Sequence, residues 1–202
     1  MLQSMGAKIK HENNNIHIEP LPVLEPISLT IPGDISSAAP WLVLGACHPS
    51  AEIQILKVGT NSTRTGLLDI LLRMGAQLEI EEITDSEIEP MANLLIRTSQ
   101  LIGTTIAGEE IPRAIDELPL IALLGCYAKG QTIVRDAQEL RVKESNRIEA
   151  IISVLGAMGA KIDATEDGFV VEGGHTLNGA LLDGQMDHRI GILAAIAGAL
   201  AE

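Results

Sequence analysis

Hydrophobic residues along the chain follow two patterns, one with helical spacing and one with a period of two. Helical spacing occurs in Thr65–Arg73 and Ile148–Leu155, whose apolar residues share one face. Each segment is followed by a glycine, which favours the conformation that ends a helix. Alternation then begins at Gln77 and Lys161 and is typical of strands with one buried face. The pattern predicts outer helices, each followed by a β-hairpin.

The junction between helix and strand occurs three times. Met-Gly-Ala-Lys-Ile begins at Met5, Met-Gly-Ala-Gln-Leu at Met74 and Met-Gly-Ala-Lys-Ile again at Met158. Only the last turn of a helix precedes Met5, and alternation on both sides of Asn13-Asn-Asn predicts a hairpin after it. Such repetition indicates repeated supersecondary units.

A second set of segments is apolar on nearly all sides and follows an aspartate each time. Its members are Ala38–Ala46, Leu118–Ala128 and Ile190–Leu200. Helices of this kind are buried. We therefore expect a mixed α/β (α+β) globule, residues 1–202, made of three pseudo-symmetric βαβαββ units. The apolar helices should lie inside and the sheets outside, with the first and last units incomplete.

Two segments have the composition of connections. The proline-rich segment Glu19–Pro26 predicts an extended link, because proline disrupts both helices and sheets. The acidic segment Glu79–Glu89 predicts a solvated loop. Neither segment has the length or composition of a domain linker.

Composition narrows the classes of function. A net charge of −13 argues against general nucleic-acid binding, which needs a cationic surface. The longest apolar run, Ile190–Ala201, is shorter than the ~18 residues of a membrane span. Cys47 and Cys126 lie in apolar runs, which favours free thiols in a reducing, cytoplasmic location over a disulfide or metal site. Four histidines lack the spacing of metal ligands: His11, His17, His48 and His175.

Positive charge is concentrated where a helix disfavours it. Arg141, Lys143 and Arg147 lie near a predicted helix start at Ser145, where each cation costs roughly 0.3–1 kcal/mol. A bound phosphate or carboxylate would compensate for this cost. A solvated charged turn is the alternative. Glu144, between these cations, is then either an ion-pair partner or an acid.

Segments in five regions of the chain resemble the 5-enolpyruvylshikimate-3-phosphate synthase (EPSP synthase) family and occur in that family's order. They are Gly33-Asp-Ile-Ser-Ser-Ala, Asn61-Ser-Thr-Arg-Thr-Gly, Gly108-Glu-Glu-Ile-Pro-Arg with Ile115-Asp-Glu-Leu-Pro, Leu140-Arg-Val-Lys-Glu-Ser-Asn-Arg-Ile, and Asp187-His-Arg. The resemblance covers nearly all of the chain, and Arg-Val-Lys-Glu-Ser-x-Arg is its most specific part.

The resemblance implies a two-globule enzyme with its active site between the globules, of which this chain is the C-terminal one. The family transfers the enolpyruvyl group of phosphoenolpyruvate to the 5-hydroxyl of shikimate 3-phosphate and releases phosphate, a step of aromatic amino-acid biosynthesis. It uses no metal or organic cofactor, and glyphosate competes for its phosphoenolpyruvate site. The implied partners are the two substrates and the absent N-terminal globule, with no nucleic acid or membrane.

The resemblance also implies catalytic roles for three residues. Asp116 would be the base facing the shikimate hydroxyl, and Lys143 and Glu144 would handle protons. From the residues alone, Asp116 is the predicted N-cap of a helix, as Asp34 and Asp187 are. The resemblance replaces that interpretation for Asp116 and leaves it in place for the other two.

Three residues are implied to bind the substrate carboxylate. Arg147 and Arg189 would hold it, with His188 beside them. From the residues alone, Arg189 could pair with a neighbouring acid and His188 could be a structural histidine. Arg64 is predicted to form a structural salt bridge. The family usually has aspartate where this chain has Asn146, which removes a charge that could steady Arg147.

Two other functions remain open at this point. One is the related enolpyruvyl transfer to UDP-N-acetylglucosamine, with RNA 3′-phosphate cyclase as a more remote relative. Those transferases typically carry a reactive cysteine in a loop, whereas Cys47 and Cys126 fall in apolar segments. The other is a folded half-module without activity of its own.

Overall fold

The computed structural model describes residues 1–13, 15–20, 23–83 and 89–202. The helices in this part of the chain are α1 (Ile35–Cys47), α2 (Gly66–Arg73), α3 (Glu110–Ala114), α4 (Leu118–Tyr127), α5 (Arg147–Ala157) and α6 (His188–Leu200), with 3₁₀ turns at Gln3–Met5 and Gln138–Val142. The strands are β1 (Lys8–Glu12), β2 (Asn15–Glu19), β3 (Glu52–Gly59), β4 (Gln77–Ile83), β5 (Met91–Arg97), β6 (Thr105–Ile106), β7 (Gln131–Val134), β8 (Lys161–Ala164) and β9 (Phe169–Glu172). None of these helices is long and apolar enough to cross a membrane.

The three Met-Gly-Ala junctions join helical turns to strands, as the repeat predicts. The 3₁₀ turn, α2 and α5 end at these junctions, and β1, β4 and β8 begin two residues after the glycines. Gly6, Gly75 and Gly159 have φ angles of 90°, 87° and 91°. Because only glycine adopts this conformation without strain, the repeated glycine ends the helical turn each time.

Each strand that follows a junction pairs with the next one as an antiparallel hairpin. Two of the hairpins carry further strands, giving sheets in the order β3-β5-β4 and β6-β7-β9-β8, whereas β1 and β2 form a sheet of two. The pairing of β6 with β7 is parallel. The mixed α/β architecture with outer sheets is therefore present.

Three apolar helices, α1, α4 and α6, pack against one another. Helix α4 is almost entirely buried, in line with its continuous run of apolar residues. Helix α6 differs from the prediction, because only Ile190, Leu193 and Ala197 are buried. Its other side consists of glycine and alanine residues that no described element covers. Full burial was therefore wrong for α6, since apolar composition alone does not say which faces are packed.

One further prediction needs correction. The acidic segment Glu79–Glu89 is not a loop from its start, because residues 79–83 belong to β4 and pair with β5. The glutamates of this stretch are exposed, and Glu79 pairs with Arg97. Residues 84–88 of that segment, Asn14 of the predicted hairpin turn, and residues 21–22 of the predicted link lie outside the described residues.

One continuous core fills the interior, and the first hairpin lies apart from it. Within the described residues, the buried core begins at Ile35 and ends at Ala197. Strand β2 is exposed along its whole length, and Ile16 and Ile18 are 64% and 65% exposed. The β1–β2 hairpin therefore adds no residue to the core.

Candidate active site

The N-termini of α1 and α6 are capped by aspartates. The side chain of Asp34 accepts a hydrogen bond from the Ser36 N–H at 3.0 Å. Asp187 accepts one from the Arg189 N–H at 2.9 Å. At α4 the capping position falls to Glu117, whose side chain makes no capping hydrogen bond. The predicted N-caps at Asp34 and Asp187 are thus confirmed, and the side chain of Asp116 faces other partners.

Three arginines from different parts of the chain converge on Asp116. Nη2 of Arg64 lies 3.4 Å and Nη2 of Arg189 lies 3.6 Å from its Oδ2, and Nη1 of Arg147 lies 3.5 Å from its Oδ1. They belong to the loop before α2, the start of α6 and the start of α5. The salt bridge predicted for Arg64 is present, and its partner is Asp116, which the resemblance implies to be the catalytic base.

Arg147 brings a full positive charge into the interior, with 2% of its side chain exposed. Its Nε donates to Asp187 at 2.8 Å, and its Nη2 donates to Glu144 at 2.6 Å. Its Nη1 is buried and has no hydrogen-bond partner among the described residues. An unsatisfied buried donor costs about 1–3 kcal/mol, more when it is charged. This nitrogen, on the side of Asp116, is suited to receive an anion.

The partners of Arg147 also fix the ionisation of Asp187. Burial alone would favour the neutral acid, but hydrogen bonds from Arg147, the Arg189 N–H and the Ser145 hydroxyl outweigh burial and lower the pKa of Asp187. Asp187 is therefore an anion at neutral pH, and it neutralises Arg147 in the interior.

Glu117 is a second buried acid of the site and was not singled out from the sequence. It is 1% exposed and accepts a hydrogen bond of 2.6 Å from the Ser36 hydroxyl. Burial raises the pKa of Glu117, although Ser36 and the arginines 189 and 64 oppose the shift. The only sequence signal was its position beside Asp116 in a segment shared with the family.

Lys143 and Arg141 both lie just before α5. Helix α5 begins at Arg147, and Lys143 follows a 3₁₀ turn in an extended conformation. Arg141 donates to the carbonyls of Glu166 and Thr165, at 3.0 and 2.7 Å. It braces the β8–β9 hairpin and also pairs with Glu149 in the first turn of α5, so both Arg141 and Arg147 lie near the helix start, as predicted.

The cations of this region are paired with carboxylates of the same chain. Lys143 pairs with Glu139, and Glu144 accepts from Arg147 with about half of its side chain exposed. His188 is the first residue of α6 and is exposed, next to Arg189. The geometry thus gathers Asp116, Glu144, Arg147 and Arg189 directly, with Lys143 and His188 adjoining them in the sequence.

Asn146 is the N-cap of α5 and accepts from the Glu149 N–H at 3.4 Å. Asparagine and aspartate cap helices about equally well. The charge that steadies Arg147 comes from Asp187 instead. The departure from the family pattern at Asn146 is therefore compatible with an ordered arginine.

Both thiols are free, and burial raises their pKa values, that of Cys126 to about 12. A thiol of this kind is a poor nucleophile at neutral pH. Within the described residues, no group of three or more histidine, cysteine or acidic side chains could hold a metal ion. The acids and arginines gathered at Asp116 could support proton transfer beside an anionic ligand.

Comparison with known proteins identifies the family. The model of the family described as EPSP synthase (3-phosphoshikimate 1-carboxyvinyltransferase) matches residues 1–202. The chain belongs to the EPSP synthase family. A 3-phosphoshikimate 1-carboxyvinyltransferase of Bacillus cereus (strain G9842) is 45% identical over all 202 residues, which make up 47% of that protein.

Solved structures agree with this assignment. An EPSP synthase structure from Acinetobacter baumannii superposes on the whole chain with a TM-score of 0.93 and 36% identity, and the chain covers 47% of it. The enolpyruvyl transferase NikO from Streptomyces tendae superposes with a TM-score of 0.73 at 18% identity and shares the fold. The chain spans about half the length of the curated relatives and solved structures that it matches.

Proposed function

We propose that this chain is the C-terminal globule of a 3-phosphoshikimate 1-carboxyvinyltransferase, which transfers the enolpyruvyl group of phosphoenolpyruvate to the 5-hydroxyl of shikimate 3-phosphate. The family match over the entire chain supports the reaction class. The observation that carries the proposal is the convergence of Arg64, Arg147 and Arg189 on Asp116. Basic groups gathered around one acid suit a reaction between two anionic substrates.

The reaction needs an acid and a base close together. The acceptor hydroxyl oxygen bonds to C2 of phosphoenolpyruvate and loses its proton, while the methylene carbon gains a proton. The bond from C2 to the phosphate oxygen then breaks, and the methyl group gives its proton back. In this proposal Asp116 takes the hydroxyl proton, and Lys143 and Glu144 carry the proton to and from carbon. General acid–base catalysis of this kind contributes about 10²–10⁴-fold.

The arginines serve the carboxylate of phosphoenolpyruvate. Guanidinium groups bind carboxylates through paired, charge-assisted hydrogen bonds. Arg147 offers its unsatisfied Nη1, and Arg189 lies at the start of α6 with His188 beside it. In the free protein both arginines face Asp116. A substrate carboxylate would share these cations and leave Asp116 free to accept a proton.

The proposal includes a second globule as a partner. The chain corresponds to 47% of its Bacillus cereus relative, so the rest of such an enzyme would supply further contacts to both substrates. We expect the 202-residue chain alone to be inactive. The free thiols suit the reducing conditions of the cytoplasm, where we place the enzyme.

Two rival functions are weaker on specific grounds. Transfer to UDP-N-acetylglucosamine would typically involve a reactive cysteine, whereas burial raises the pKa of both thiols here. A half-module without a role in catalysis would not need three arginines around one acid. Both rivals make predictions that one assay separates.

The test is complementation in trans. The chain is mixed with the remainder of the Bacillus cereus relative, and phosphate release from phosphoenolpyruvate is measured with shikimate 3-phosphate or UDP-N-acetylglucosamine as the acceptor. We expect phosphate release only when the two parts are mixed, and only with shikimate 3-phosphate as the acceptor. Turnover of the sugar nucleotide would favour the first rival. A folded, associated mixture that releases no phosphate with either acceptor would contradict the proposal.

A further inference from the structure

A buried carboxylate lies beneath the arginines of the site and has no part in the mechanism above. Glu117 is 1% exposed at the start of α4, where the first turns of α1 and α6 also meet. Nη1 of Arg189 lies 3.6 Å from its Oε1. Glutamate is rarely buried to this extent unless it is paired. The position therefore calls for a specific explanation.

A short relay connects the same carboxylate to a second arginine. The Ser36 hydroxyl donates to Oε1 of Glu117 at 2.6 Å and accepts from Nη2 of Arg64 at 3.0 Å. The Ser36 hydroxyl has a single proton, which it donates to Glu117 while its oxygen accepts from Arg64. The direction of the relay is thus fixed, and Oε1 of Glu117 must act as the acceptor.

Both arginines that Glu117 restrains also face Asp116. Nη2 of Arg64 and Nη2 of Arg189 approach the same oxygen, Oδ2 of Asp116, at 3.4 and 3.6 Å. Each guanidinium is therefore held between an inner acid, reached directly or through Ser36, and an outer acid. An arginine with two fixed partners loses little further freedom when a ligand arrives, which favours binding.

We infer that Glu117 is a positioning residue, which holds Arg64 and Arg189 in place beside Asp116 so that Arg189 can receive the carboxylate of phosphoenolpyruvate. The inference deepens the proposed function and rests on it for the identity of the anion. Glu117 itself touches neither substrate in this account. It acts through Ser36, Arg64 and Arg189, which come from three other segments of the chain.

The hold on Arg189 depends on pH, because only the ionised carboxyl group attracts the guanidinium. The charged and polar groups that face Glu117 are Ser36, Arg189, Arg64 and Asp116. Burial raises the pKa of Glu117, so its charge is lost at a higher pH than that of an exposed glutamate. As the pH falls, Glu117 loses its charge and Arg189 loses this partner.

The first experiment tests the restraint without any substrate. NMR of the 202-residue chain measures rotation about the Cζ–Nε bond of Arg189, whose two Nη atoms face different acids. We expect Glu117→Gln to accelerate this rotation at least about tenfold, the change that 1.4 kcal/mol produces. Ser36→Ala should release Arg64 instead. Glu110→Gln is the matched control, because Glu110 pairs with Arg73 away from the site.

The second experiment measures the effect on the reaction in the complemented enzyme. Glu117→Gln should raise KM for phosphoenolpyruvate about tenfold and change kcat by less than about threefold, by the same conversion. It should also weaken the rise of this KM on acidification, and Glu117→Asp should restore part of the affinity. An inactive wild type would sink the proposed function and leave the NMR result standing. Unchanged Arg189 rotation together with unchanged KM would overturn the inference.

Discussion

Arg147 enters the interior with acids around it from three parts of the chain. Asp187 and Glu144 accept its hydrogen bonds, and Asp116 lies at ion-pair distance. Removing one partner of a buried ion pair costs far more than the pair contributes, because the remaining charge is left uncompensated. We therefore expect removal of Asp187 to affect mainly stability and removal of Asp116 to affect mainly activity.

We predict that Asp187→Asn lowers the free energy of unfolding by about 3–5 kcal/mol, as expected when a buried charge loses its partner. Because the folded-state pKa of Asp187 lies below its ordinary value of 3.8, its contribution is full above that pH. It is lost as the pH falls through the lower folded-state pKa. Urea unfolding of both proteins between pH 7 and pH 3 measures this difference. Asp163→Asn, on the exposed face of β8, is the control, and an equal loss there would contradict the assignment.

Asp116→Asn should leave stability nearly unchanged, since Asp116 is partly exposed and caps no helix. In the complemented enzyme it should lower the rate of phosphate release at least about 100-fold, because the base is removed. Steady-state kinetics with saturating substrates checks this. Activity within a factor of about three of wild type would mean that another residue is the base.

At the scale of elements, the repeat made most of the architecture predictable. The Met-Gly-Ala junctions fixed where three helical turns end and strands begin, and apolar runs identified α1, α4 and α6. Local sequence carries this information, because glycine at positive φ and continuous hydrophobicity act within a few residues. The half-exposed α6 and the strand within the acidic segment Glu79–Glu89 were missed, since both depend on neighbours distant in sequence.

The site was predictable in part for the same reason. Asp116, Glu144, Arg147 and Arg189 stood in recognisable segments, and the structure brings these four together. The roles of Glu117 and Ser36 could not be read from the sequence, because they follow from the meeting of three helix starts. The helix start predicted near Ser145 lies two residues before the observed start at Arg147, because Asn146 caps the helix.

Helices α2 and α3 are in contact, and they adjoin Arg64 and Asp116 in the sequence. A Cβ atom on Gly66 would lie 2.9 Å from backbone atoms of Arg113 and from Cβ of Ala114. Gly66→Ala must push the two helices apart and should destabilise the protein by about 1–3 kcal/mol.

The matched control is Gly156→Ala in α5, where a Cβ atom would meet nothing within 4 Å. Here alanine should stabilise the helix by about 0.5–1 kcal/mol. Thermal unfolding of both variants measures the two effects. Similar changes of the same sign would show that helix propensity, and not the approach of α2 to α3, governs Gly66.

At the scale of the whole molecule, the β1–β2 hairpin is separable from the core. The described residues before Ile35 contribute nothing to the buried cluster, and a hydrogen bond from the Glu25 N–H to the Met5 carbonyl is one of its few ties. A shortened chain that begins at Leu24 should therefore unfold within about 1 kcal/mol of the full chain, because tolerance to truncation follows burial. Urea unfolding tests this, and a loss above about 2 kcal/mol would place the hairpin in the cooperative unit.

Binding of the substrates depends on a cluster of cations in an acidic molecule. With a net charge of −13, the protein repels anions at long range. Binding of two anionic substrates must therefore come from local contacts, and the arginines around Asp116 are the described groups arranged to make them. Their affinity for phosphoenolpyruvate is the central quantity.

The most direct measurement is calorimetric titration of phosphoenolpyruvate into the complemented enzyme with shikimate 3-phosphate present. The Asp116→Asn background slows turnover, and Arg97→Leu is the control, because Arg97 pairs with Glu52 and Glu79 on an outer sheet. We predict saturable binding at one site, weakened at least about tenfold by Arg189→Leu, since charge-assisted hydrogen bonds contribute about 1.5–3 kcal/mol. Arg97→Leu should leave the affinity unchanged. Equal affinity with and without Arg189 would contradict the account.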